Sequence, residues 1–243
     1  MTYKFGTNYG RIGTARSANL QAYYKFDGDL TDSSGNGFTM SLSTGTETYT
    51  SLPWGYKMAK FDGATRFEKS AETEFEITGA FTMHMLLTLD TIQPSAPGDW
   101  IGGYGENAVD SPSTNQLYSL IIDGGKYLSF TEHTGGTNII WTAGGNCLPV
   151  VGHPVFVTQT RDVSGNVGFY INGVSMGVTA GSGYPAAPTG GDSVGCSLFV
   201  GGQDAGSSTP TYFKGAMAEL QILNTELTPA QVLEDAKKVM PWL

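Results

Sequence analysis

Residues 80–89, AFTMHMLLTL, alternate along their length: Phe81, Met83, Met85, Leu87 and Leu89 fall on one side, Thr82, His84 and Thr88 on the other. A period of two with one apolar side predicts a strand laid against a core. Shorter apolar runs at 117–122, 127–132, 138–142, 155–160, 167–172, 197–201 and 216–223 predict further strands. Upstream, AYYKFDG predicts a strand running into an Asp-Gly turn, and YKMAKFDG followed by TRFEKS predicts a hairpin.

Residues 161–178, RDVSGNVGFYINGVSMGV, carry two reversals. DVSGN turns the 155–160 strand back, after which Val167, Phe169 and Ile171 face one side and Gly168, Tyr170 and Asn172 the other. Asn172-Gly173 supplies the positive φ angles of a two-residue type I′ turn. Val174, Met176 and Val178 then resume the apolar face, which predicts a three-stranded antiparallel meander with one face buried.

One segment departs from this rhythm. LTPAQVLEDAKKVM places Thr228 as an N-cap, Pro229 at the first helical position and Gln231 three residues after the cap, followed by Leu233, Ala236 and Met240 at helical spacing. A short C-terminal helix closing the sheet is expected. Strands at short spacing, split by Gly and Asn turns, make the fold class all-β, a two-sheet antiparallel β-sandwich or a barrel. Residues 1–18, rich in Gly and Thr, read as an N-terminal arm ahead of one domain spanning 19–243.

Composition narrows the function. The net charge is −9 and the 13 basic residues are scattered, so nucleic acid and acidic membrane surfaces are disfavoured as partners. No run approaches the roughly 20 apolar residues of a membrane span. The first twenty residues lack the apolar stretch of a secretory signal, so the chain is expected to be made in the cytosol. Cys147 and Cys196 form no spaced framework and read as two buried thiols, although an oxidising compartment would let them pair.

Seven motifs follow one another in order: YYKFDG at 23–28, DSSGNG at 32–37, KFDG at 60–63, FTMHM at 81–85, HPVFVTQT at 153–160, YING at 170–173 and FKGAMAELQILNTELTPAQV at 213–232. Each is weak alone. In this order, over about residues 20–238, they resemble the laminin-G-like, or concanavalin A-like, jelly roll. The resemblance implies two antiparallel sheets of six or seven strands, one concave and one convex.

Some jelly rolls of this architecture are glucanases, which cleave between paired carboxylates. AETEFEI would set Glu72, Glu74 and Glu76 on one face if extended, but the middle acid of the family's Glu-x-Asp-x-Glu strand is wrong. The three histidines, His84, His133 and His153, read as structural, and no nucleophile elbow precedes a helix. No catalytic residue is therefore assigned. Relatives often hold calcium through an Asp at the start of the last strand. Here Ala218 and Glu219 stand at that place, so no metal site or other cofactor is expected, with Asp27, Asp32 and Asp62 the residual oxygen donors.

Binding remains. Sugar-binding relatives present aromatic rings and amide or carboxylate groups from a groove or loop rim. The candidates here are Trp100 and Tyr104 in GDWIGGYG, Trp141 in IIWTAGG and Tyr184 in SGYPAAP, each equally suited to a core or an interface. A freestanding, weakly charged jelly roll made in the cytosol leads to the expectation of a non-enzymatic bacteriophage virion component, either a capsid decoration protein or a head- or tail-attached adhesion protein. Its arm would dock on capsid or tail proteins, and self-association into trimers would suit symmetric lattice positions. The alternative is a carbohydrate-binding module of a secreted or surface protein, and glycans are candidate ligands on both readings.

Overall fold

The computed structural model describes residues 11–12, 16–52, 55–70, 72–91, 99–106, 118–122, 128–134, 137–144, 151–180, 196–203, 211–240 and 242–243. The strands of its first half are β1 (Leu20–Tyr24), β2 (Ser41–Thr44), β3 (Thr48–Ser51), β4 (Lys57–Asp62), β5 (Arg66–Lys69), β6 (Phe81–Leu89), β7 (Asp99–Glu106), β8 (Tyr118–Ile122) and β9 (Leu128–Thr134). Then come β10 (Thr137–Ala143), β11 (Val155–Arg161), β12 (Val167–Ile171), β13 (Val174–Ser175), β14 (Val178–Ala180), β15 (Ser197–Val200), β16 (Gly202–Gln203), β17 (Thr211–Tyr212) and β18 (Lys214–Leu223). One helix, α1 (Pro229–Val239), follows.

Among the described residues the strands form two antiparallel sheets of eight, one or two more in each than the resemblance implies, and β16 pairs with β17 in a sheet of two. The first runs β13-β12-β11-β6-β18-β4-β3, with β1 also on β18; the second runs β14-β10-β9-β8-β7-β15-β5-β2. One core joins them. Phe61, Phe81, Met83, Met85 and Leu87 of the first sheet pack with Phe67, Ile101, Leu120, Leu198 and Val200 of the second. The Phe61 and Phe67 rings meet across the layers at 5.1 Å, and Phe81 meets Tyr118 at 4.9 Å.

Two connections differ from expectation. β4 and β5 are not a hairpin: β4 pairs with β3 and β18 in the first sheet, β5 with β2 and β15 in the second. Asp62 accepts from the Ala64 N–H and the Thr65 hydroxyl, and the turn so fixed carries the chain from one layer to the other. The meander is similarly cut short. Asn172 (φ 53°) and Gly173 (φ 82°) make the expected turn, but β13 holds only two residues, and the chain then crosses to pair β14 with β10. Val174 and Val178 are consequently exposed, and only Met176 of that trio packs on the core.

The first sheet is covered on both sides. Every residue of β6 and β11 is buried, including the polar side of each strand. A second apolar layer explains this: Ala236, Val239 and Met240 at the end of the chain cover Met58, Leu86, Phe156, Ala216 and Ala218. The helix starts as its sequence predicts, with the Thr228 side chain accepting from the Gln231 N–H and the Gln231 side chain returning to the Thr228 N–H. Ile12 of the arm enters the same layer, so the arm is in part built into its own domain.

Candidate functional site

With α1 and the arm closing the first sheet, the outer face of the second sheet is left for chemistry. Alternation sets its composition. In β5 Phe67 faces the core, so Arg66 and Glu68 fall on the opposite side. In β8 Leu120 and Ile122 face the core, so Ser119 and Ile121 are outward, and the register carries that row through Ser129 to Thr142. The outer rows carry hydroxyls and charge together with Ile121 and Phe199; Ser119, Ser129 and Phe199 are buried, whereas Ser43 and Glu68 toward the β2 edge keep exposed surface.

Charge is concentrated toward the β2 edge. The Arg66 guanidinium lies 2.9 Å from Glu68 Oε2 and donates to the Ser43 hydroxyl at 3.2 Å; that hydroxyl donates to Glu68 Oε2 at 2.8 Å. Burial alone would raise Glu68, but the hydroxyls of Ser197 and Ser43 and the charge of Arg66 outweigh it and hold the carboxyl below the usual carboxylate range. Arg66 itself is nearly buried, while Glu68 retains 27% of its side-chain surface. The result is a fixed, ionised acceptor on a rigid strand, reachable from solvent and suited to fixing a ligand hydroxyl.

Of the aromatic candidates, Tyr104 is corrected. It is fully buried in β7, its ring 6.0 Å from Phe75 and its hydroxyl donating to the Glu72 carbonyl, so it is a core ring and not a rim ring. Trp100 lies in β7 in register with Ile121, and Trp141 in β10 in register with Phe130 and Ala180, so both belong to strands and not to loops. Tyr184 and Cys147 lie outside the described residues, whereas Cys196 is buried.

The three glutamates do not share a strand face. Thr73–Phe75 is a 3-10 turn, and Glu72 pairs with Lys69 at 2.5 Å. His84 is buried with Nε2 donating to Gln221 Oε1 at 3.1 Å, and His153 is exposed. The expected residual oxygen donors are engaged in turns and ion pairs. Asp32 accepts from the Tyr23, Ser34 and Phe38 N–H groups, and Asp27 pairs with Arg11. Among the described residues no three His, Cys, Asp or Glu side chains cluster as metal ligands, and no helix is long and apolar enough to cross a membrane.

Residues 61–233 match the model of the concanavalin A-like lectin/glucanases superfamily, of laminin G type, over well more than half the chain. The chain belongs to this superfamily. Its fold likewise matches domain 4 of AbnA, a GH43 extracellular arabinanase from Geobacillus stearothermophilus, in complex with arabinotriose. That match has a TM-score of 0.60 at 23% identity, covering 90% of this chain and 98% of that one. The binding domain of botulinum neurotoxin DC in complex with rat synaptotagmin II matches with a TM-score of 0.64 at 14% identity, over 92% of this chain and 52% of that one. The same toxin domain in complex with SialylT gives 0.65, also at 14%, over 92% and 52%. Among curated proteins none matches this superfamily member in sequence.

Proposed function

We propose that the protein is a non-catalytic recognition domain whose ligand is a glycan, bound on the outer face of the second sheet. The observation that carries the reading is the braced Glu68–Arg66–Ser43 group toward the β2 edge of that face, where Glu68 keeps 27% of its side-chain surface and Ser43 is exposed. A glycan is a dense array of hydroxyls, and an ionised acceptor held in place contributes both direction and about 1.5–3 kcal/mol per charged hydrogen bond. Neighbours that bind arabinotriose, or are in complex with SialylT, support the class of ligand.

The test is an array of arabino-oligosaccharides and sialylated glycans probed with the wild type and with Glu68→Gln. Binding to at least one class is expected, with a loss of about tenfold or more in the variant, measured at a temperature where its Tm shows it folded. An empty array rejects the glycan reading, and an unaffected variant moves the site elsewhere. Arabinan and β-glucan incubated with the protein are expected to release no reducing ends.

The virion role rests on the sequence expectation alone and asks for a different experiment, detection of the protein on purified particles. Arg11, Ile12 and Arg16 are engaged by their own domain, which takes them out of the part of the arm left to meet a neighbouring subunit.

A further inference from the structure

At the middle of β18 the strand changes partners along one edge. Lys214–Met217 pair with β4, and Leu220–Leu223 pair with β1. Glu219 stands at the seam, beside a register shift against β6, with φ at +55° and no exposed surface. A non-glycine residue in this region of φ, buried and charged, persists only where its surroundings over-determine it. Here they do. Glu219 Oε2 accepts from the Tyr23 hydroxyl at 2.6 Å and from the Ile12 N–H at 3.3 Å, and Oε1 accepts from Arg11 Nη1 at 2.8 Å.

Arg11 is held as a flat fork. Its other terminal nitrogen reaches Asp27 at 2.7 Å, and its guanidinium carbon lies 5.2 Å from the centre of the Tyr56 ring. Burial would lower its affinity for the proton, but Glu219, the tyrosines and Asp27 outweigh that and raise it. Two carboxylates at the fork tips and a ring against the plane are the features that separate a guanidinium from an ammonium, which is a point charge, and from calcium, which wants six or more oxygens. The plug is also reachable: Arg11 keeps 30% of its side-chain surface and Asp27 36%.

We propose that Glu219, Asp27, Tyr23 and Tyr56 form a guanidinium-specific socket, and that Arg11 plugs it so as to make residues 11–12 a releasable strap on the first sheet. Arg16 is a second fastening five residues on, 2.8 Å from the buried carboxylate of Asp235. With the strap withdrawn, the socket is a site for the arginine side chain of another polypeptide.

The experiment uses full-length protein. Arg11→Ala leaves Glu219 buried without its counter-charge and is expected to lower Tm by roughly 10 °C. Millimolar methylguanidinium restores much of that loss saturably, while methylammonium and calcium at equal concentration do not. Equal rescue by either of them, no rescue, or an unaltered Tm in the variant overturns the proposal. Should the variant not fold, limited trypsin digestion of the wild type decides. Cleavage after Arg11 is expected to accelerate with methylguanidinium and not with methylammonium, and an unchanged rate with both rejects the strap.

Discussion

Burial takes water from a histidine and so favours its neutral form. His84 sits under Phe156, their ring centres 5.2 Å apart, and burial pushes its pKa down from 6.5 to about 4, with the nearby Asp235 opposing. Arg16 and Lys238, which also face it, push the same way as burial. The unfolded chain takes up a proton as pH falls through about 6.5, and the folded chain does not until about 4. The stabilising contribution is therefore complete above 6.5 and is lost on acidification, by about 3 kcal/mol at pH 4. Urea unfolding at pH 7, 5.5 and 4.5 reads this slope, and His84→Gln is expected to flatten it. Backbone geometry makes a second residue intolerant of change. Gly201 has φ at +92°, and a Cβ there would meet the Phe61 ring at 2.2 Å, so Gly201→Ala is expected to cost about 2–4 kcal/mol in the same measurement.

At the scale of elements, local chemistry was legible in the sequence and partnership was not. The alternation in β6 and the Thr228–Gln231 box each depend on residues within one turn or one strand, and both appear as read. The box predicts its own test: Thr228→Ala removes a cap and is expected to lower stability by about 1 kcal/mol in thermal unfolding. Periodicity, however, says only that a strand has two faces. It does not say that β5 leaves β4 for the other sheet, nor that the chain after Ser175 crosses over, because both depend on pairing with strands distant in sequence. The same limit governs the candidate site. Arg66 and Glu68 alternate visibly with Phe67, but only the fold reveals that α1 covers the other sheet and leaves Glu68 partly exposed. Glu219 is harder still, since its partner Arg11 is 208 positions away.

At the scale of the molecule, the described residues stack a helical cover and two eight-stranded sheets, with the sheet between buried on both sides. Removing residues 229–243 would bare Met58, Leu86 and Phe156 together, an apolar patch that soluble domains rarely leave open. The truncated chain is expected to bind a hydrophobic dye strongly and to associate as concentration rises, whereas the full chain does neither through this face. Dye fluorescence with light scattering checks both. Retained monodispersity without dye binding would mean that the helix is an ornament.

The cover has one more consequence. Ile12, near the start of the described chain, and Met240, near its end, lie in the same apolar cluster on the back of the first sheet. Loosening either segment would uncover the same apolar layer, so the two hold the back of the first sheet as one unit.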